Sequence, residues 1–289
     1  SGRPPSQRPA AHFRDRMMTD TSSTASARPA PAEIEPNWTR SRGTAICWIA
    51  LAALLAWSWG PAEMSNWPHL FTDSGNMAQY ATEFSHPDFS DWRYYAREMI
   101  VTLQIALWGT FLAAAFAVPL GVLSARNMAP WYIVQPVRRV MDACRSIHEL
   151  VFAVLFVVAV GLGPFAGVMA LFVHTTGIFA KLFSEAVEAI DARPVEAIRS
   201  TGASRLQEVL FGVVPQVMPL WISFTLYRFE SNVRAGTVLG VIGAGGIGQV
   251  LFVSIRGFYY PQASAMLIIM LVTVSVLDFV SQQMRKLFL

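Results

Sequence analysis

Arg228, Glu230, Asn232 and Arg234 crowd into a stretch that is otherwise strongly apolar, and these four side chains are the best placed in the chain to do chemistry. Glu230 and Arg234 have the i, i+4 spacing that brings two side chains together on one helix face. Arg228 is then left as an unpaired cation that could attract an anion, with Asn232 as a nearby hydrogen-bond donor. The competing account is structural: Arg228 pairs with a carboxylate such as Asp142 or Glu149, or with backbone carbonyls, and holds helices together.

Other apparent motifs dissolve. Gly243-Ala244-Gly245-Gly246-Ile247-Gly248 fits the G-x-G-x-x-G pattern of nucleotide sites, yet no strand-helix-strand unit surrounds it. His148-Glu149 begins like a zinc-protease motif, but Phe152 stands where the second histidine belongs. His174 is alone on an apolar stretch and reads as a hydrogen-bonded packing residue, while His12, His69 and His86 are scattered. No nucleophile-base pair, metal-ligand spacing or phosphate-binding lysine loop is present, so we expect no catalytic residue, no metal site and no cofactor on this chain.

The elements that must carry the charged quartet follow from composition. Of 289 residues, 54% are hydrophobic and 14% charged, against roughly 25% charged in a soluble domain. Windows without Lys, Arg, Asp or Glu run over 43–62, 99–125, 150–180, 209–227, 235–255 and 257–277. A bilayer core needs roughly 20 helical residues. The expected fold is therefore all-α, a polytopic membrane helix bundle of about six spans near 44–60, 99–124, 141–160, 164–182, 216–234 and 262–283. Residues 235–255 hold Gly236, Gly240, Gly243, Gly245, Gly246 and Gly248, too many for a continuous helix. Irregular backbone shielded inside protein is expected there.

Arg228 lies 12 residues beyond Gln216, or about 18 Å along a helix, near the bilayer midplane. Seventeen of the 22 Lys and Arg fall on one side of this topology, which makes both termini cytoplasmic by the positive-inside rule. The net charge of +3 thus reflects topology, and no nucleic-acid patch is evident. Residues 1–43 read as a disordered cytoplasmic tail without a secretory leader, Met17 and Met18 being candidate starts. Residues 44–98 comprise the first span and an extracytoplasmic loop whose aromatics include Trp67, Phe71, Tyr80 and Phe84, and 99–289 form the main transmembrane domain. Cys47 and Cys144 are expected as free thiols.

Between spans, residues 183–215 predict a lever. Pro194 suits the first position of a short helix, Gly202 suits its end, and Ser204 with Gln207 makes a capping box for the next helix.

Glu196-Ala197-Ile198, Gly202 and Pro215 resemble the coupling motif of ABC importer permeases, with the spacing intact and Ile198, Gly212 and Val214 as departures. Over roughly residues 95–287 the chain resembles the membrane permease of bacterial phosphonate importers. The resemblance rests on Ala125-Arg126-Asn127, Arg145-Ser146-Ile147-His148-Glu149-Leu150, Tyr227 to Arg234 and the glycine segment, with His148 at a position that is proline in that family. The last segment also resembles methionine importer permeases.

The resemblance implies a type I ABC importer permease in the bacterial inner membrane. It implies a homodimer of this chain, two or more cytoplasmic ATPase subunits carrying ATP and Mg, an extracytoplasmic phosphonate-binding protein and surrounding membrane lipid. Glu196, Ala197, Gly202 and Pro215 would couple to the ATPase. Phosphate or another oxyanion is the nearest alternative substrate. From a different class, an ion-gradient-driven secondary transporter would also use broken helices and midplane charges.

Overall fold

The computed structural model describes residues 42–66, 68 and 74–288, so the expected disordered tail over 1–43 lies almost wholly outside the described residues, as do Trp67 and Phe71. The chain divides into two compact units, Ser1–Thr72 and Asp73–Leu289. In the first, α1 (Arg42–Ser58) is an apolar helix of 17 residues, followed by a 3-10 turn at Met64–Asn66.

The second unit is built on α2 (Ser74–Phe84), α3 (Trp92–Ser124), α4 (Trp131–Ser146), α5 (Glu149–Val160) and α6 (Pro164–Glu188). It continues through α7 (Ala192–Ser200), α8 (Val214–Leu239), α9 (Ile247–Arg256) and α10 (Tyr260–Phe288).

Its centre is the pairing of α3 with α6. Gly109, Ala113, Ala117 and Gly121 recur every four residues on α3, and all four are buried. A Cβ on Gly109 would stand 2.7 Å from Leu171 Cβ, and one on Gly121 would stand 2.7 Å from Phe183 Cβ. Small residues at this interval let two backbones approach in lipid, where dispersion has to replace the hydrophobic effect. Phe179, Phe183 and Trp221 then stack in series, with centroids 5.2 and 4.7 Å apart, which joins α8 to the pair.

Among the described residues, four helices are long and apolar enough to cross a membrane: Trp92–Ser124, Pro164–Glu188, Arg205–Ile242 and Tyr260–Lys286. The expected span over 141–160 is not one straight helix. It is α4 and α5 joined at an 88° bend, a fifth crossing if the pair is taken as one. Ile147 (ψ 127°) and His148 (ψ 144°) are extended there, and His148 caps α5 by accepting a hydrogen bond from the Leu150 N–H at 3.2 Å. That cap restarts the helix after the bend.

The glycine segment is irregular and buried, as expected. Gly240 opens a 3-10 turn, Gly243, Gly245 and Gly246 have φ of 93°, 79° and 75°, and α9 begins at Ile247. Gly246 turns the chain where a side chain would collide with Thr102, whose hydroxyl accepts from the Ile247 N–H at 3.0 Å. Gly248 packs directly on the Thr237 carbonyl, with no room for a Cβ. The Gly163 N–H donates to the Gly243 carbonyl at 2.9 Å, so the re-entrant backbone is satisfied by its neighbours. Tyr80 and Phe84 of α2 pack on Tyr260 at the start of α10.

Candidate translocation site and coupling segment

Arg228 sits near the middle of α8, 14 residues after Val214 and 11 before Leu239. Among the described residues its guanidinium makes no hydrogen bond or ion pair, and its Nε is enclosed. Neither carboxylate weighed from the sequence pairs with it. Asp142 is taken by Arg145 at 2.8 Å on α4, and Glu149 contacts His174 instead. An unpaired charge within an apolar span is costly.

Glu149 is brought to the same level by the α4–α5 bend. Its Oε2 lies 3.2 Å from His174 Nε2 on α6, and His174 Nδ1 faces the Ile147 carbonyl at 2.9 Å. A carbonyl only accepts, so Nδ1 carries a proton, and the contact of Nε2 with Glu149 Oε2 requires a second proton between those two atoms. His174 is thus a buried, hydrogen-bonded residue, and it also contacts Glu149. Ser231, Arg234 and Ala235 of α8 face His148, Glu149 and Leu150 across a cavity of about 440 Å³. Arg228 lies one turn from Ser231 on the same helix face.

The rest of the charged quartet divides. Glu230 and Arg234 pair at 2.9 Å, as their spacing predicts, and the pair extends to α10 through Asp278 at 3.4 Å and Arg285 at 3.5 Å. Asn232 is 1% exposed and does not reach the cavity. Its amide donates to the Thr110 hydroxyl at 2.9 Å and to the Thr175 hydroxyl at 3.1 Å, tying α3, α6 and α8 together.

At the far end of α8, the lever forms with one change. The helix starts at Ala192, capped by Asp191, and Pro194 is its third residue rather than its first. Proline is accepted there because the first turn's N–H groups have no helical partner. The Asp191 carboxylate accepts from the Arg193 N–H at 3.0 Å, and the Arg193 side chain on Asp191 holds that carboxyl below the usual range. Gly202 turns with φ 81°, and the Gln207 side chain accepts from the Ser204 N–H at 2.8 Å to close the capping box.

Glu196, Ala197, Gly202 and Pro215 are all exposed, while Val195 points inward against Gly212. A Cβ on Gly212 would stand 3.2 Å from Val195 Cα, so the glycine that departs from the importer motif is what admits α7 so closely. Glu208–Val213 forms a π-helical turn leading into α8. Glu208, 3% exposed, takes a two-pronged bond from Arg199, both contacts 3.0 Å, and so fastens α7 to that turn. Ile198, Thr201, Gly202, Ala203, Gln207 and Phe211 surround an open concavity of about 390 Å³ beside it.

The helix Arg205–Ile242 runs from the exposed lever past Arg228, and comparison with known proteins shows the family to which the chain belongs. Residues 117–288 match the family described as the binding-protein-dependent transport system inner membrane component. The chain belongs to that family. It is a membrane permease of an ABC importer and not an enzyme, and the gradient-driven carrier is set aside.

The permease is 38% identical over 252 residues to the phosphite transport system permease protein PtxC of Stutzerimonas stutzeri, covering 87% of this chain and 90% of that one. Over 121 residues, 42% of this chain and 99% of the other, it is 61% identical to a permease protein named for a cryptic phosphonate transport system of Escherichia coli. In fold it matches an inward-facing structure of the MetNI methionine ABC transporter. The TM-score is 0.61 at 20% identity, over 69% of the permease and 99% of that chain.

Sequence reasoning named Arg228, the lever and Glu149 as a carboxylate for Arg228, but missed the pairing of Glu149 with His174 and of Arg199 with Glu208. Glu208 carried a signal, an acid beginning an apolar run nine residues after Arg199; the contact of Glu149 with His174 carried none, since they lie 25 positions apart on different helices, with the break at Gly161–Gly163 between them.

Proposed function

We propose that two copies of the permease together enclose a pathway for a phosphonate or a closely related phosphorus oxyanion. A cytoplasmic ATPase pair holding ATP and Mg drives the cycle, and an extracytoplasmic binding protein delivers the solute. Both termini are cytoplasmic in this reading, because the basic residues concentrate on the side of the lever. Names of the two relatives, one for phosphite and one for phosphonate transport, support the substrate class.

The carrying observation is Arg228, a midspan guanidinium with its donors uncommitted. A second copy is favoured because Arg234 and Asp278 remain 46% and 36% exposed within apolar spans, and charge at that depth has to face protein or water. On the lever, Glu196, Ala197 and Gly202 offer an exposed edge beside a concavity suited to an ATPase surface. Pro215 begins the helix that carries the motion inward to Arg228, and closure of the ATPases would be relayed along it as a rigid-body movement. The glycine segment from Gly240 to Gly248 forms the fixed packing against which α8 moves.

Uptake of labelled methylphosphonate by the reconstituted importer tests the assignment. A hydrogen bond to a charged group contributes about 1.5–3 kcal/mol, so Arg228→Gln is expected to lower flux about 10- to 100-fold while leaving assembly intact. Normal flux with unchanged anion preference would remove Arg228 from the pathway.

A further inference from the structure

Nothing in the reading above uses the Glu149 carboxylate, although it lies in the cavity beside the α8 face that bears Arg228. A carboxylate next to a site for anions is repulsive unless a proton lies between the two. The groups around it leave room for such a proton. His148 Nδ1, 3.7 Å from Glu149 Oε2, spends its lone pair on the Leu150 N–H and cannot act as a cation at that atom. His174 approaches the same oxygen, Oε2, at 3.2 Å through Nε2. On α8, Arg228 is not in contact and Arg234 is committed to Glu230 and Asp278, while Arg285 of α10 also pairs with Glu230. Glu149 Oε1 therefore has no partner among the described residues, and neither has the Ser231 hydroxyl in the same cavity.

A monoprotonated phosphonate or phosphite carries both features this arrangement can hold. Its charged oxygens suit a guanidinium, and its P–OH is a donor in need of an acceptor. A fully deprotonated oxyanion such as sulfate has only acceptors, and it meets Glu149 lone pair to lone pair.

We infer that Glu149 reads the proton on the substrate: its free oxygen accepts from the P–OH of a monoprotonated phosphorus oxyanion held by Arg228, and it turns away oxyanions that carry no proton. This rests on the assignment of Arg228 to the pathway. It makes Glu149 a specificity-determining residue inside the membrane, downstream of whatever selection the binding protein exerts.

The test is direct binding of radiolabelled methylphosphonate to the complex purified from membranes through the full chain, with no binding protein added. Sulfate in large excess is expected not to compete. Binding is expected to fall as pH rises past the loss of the ligand's last proton, and to fall at a lower pH for phosphite, which gives up that proton earlier. In Glu149→Gln the amide offers a donor, so sulfate is expected to compete and alkaline binding to recover about tenfold, the ratio set by one charge-assisted hydrogen bond.

Two results overturn the inference while leaving the Arg228 assignment standing: sulfate competing equally in the parent, or one pH midpoint shared by both ligands, which would place the titration on His174 or Glu149. Arg228→Gln run in parallel separates the levels. Binding that survives that change, or no binding in the parent, removes the Arg228 site and this inference with it. The parent measurements decide the matter even where Glu149→Gln fails to assemble.

Discussion

Asn232→Ala separates a structural amide from a pathway amide. The side chain is 1% exposed and donates to Thr110 at 2.9 Å and to Thr175 at 3.1 Å, and the Thr175 hydroxyl returns a bond to its Oδ1 at 3.3 Å. Thr110 donates its own proton to the Ala106 carbonyl at 2.6 Å, so after truncation its lone pairs face a void. Interhelical hydrogen bonds in membranes average about 0.6 kcal/mol and reach about 1.7. Three lost bonds and a small unfilled space thus cost about 2 kcal/mol. For a chain of this size that lowers the apparent melting temperature by about 4–8 °C. The assay is thermal unfolding of the purified permease, with methylphosphonate binding measured below the transition. Combining the change with Thr175→Val should cost clearly less than the two singles added, because both remove one contact. The reasoning is refuted by a variant that melts with the parent yet loses anion binding, since Asn232 would then belong to the pathway.

Glu196→Arg, on the exposed face of the lever, is expected to abolish ATPase activity co-purifying with the permease while leaving its insertion and melting unchanged; retained coupled activity would dismiss the docking surface. Gly246→Ala places a side chain at φ 75° against Thr102, and it should cost about 2 kcal/mol or more, read as lower yield and earlier melting of the purified chain. Asp191 has a folded pKa below its ordinary value of 3.8, so its contribution to the start of α7 is present above that pH and is lost as pH falls through the folded value. Amide exchange over 192–195 should accordingly be faster in Asp191→Ala than in the parent at neutral pH, with the difference closing in acid. Arg199→Lys keeps the charge but cannot reproduce the two-pronged bond to Glu208, and a reduced ratio of transport to ATP hydrolysis is the expected outcome of a side-by-side flux and ATPase measurement.

Much of the architecture was legible because membrane insertion writes itself into composition. A charge-free window of about 20 apolar residues reads as a span unless glycines break it, as they do in 235–255. The glycine segment was equally readable, since six glycines in thirteen residues cannot hold a straight helix. The lever was legible from local rules of capping and from motif spacing. Its start was misplaced because Pro194 satisfies the steric rule at the third helical position as well as at the first, and Asp191 supplied the stronger cap.

Sequence by itself determined the all-α membrane class, the exposed edge at Glu196 and Gly202, and the anomaly of Arg228, all of which follow from local composition and spacing. Tertiary structure alone decided which of the charged quartet is free. Asn232 and Arg228 are equally polar in the sequence, but the close α3–α6 pairing set by Gly109 and Gly121 delivers Thr110 and Thr175 to Asn232. The 88° bend at Ile147-His148 carries Glu149 to His174 and leaves Arg228 without a partner. Hydrogen bonding and charge pairing depend on distances of about 3 Å, and such distances are set by helices packing across long sequence separations.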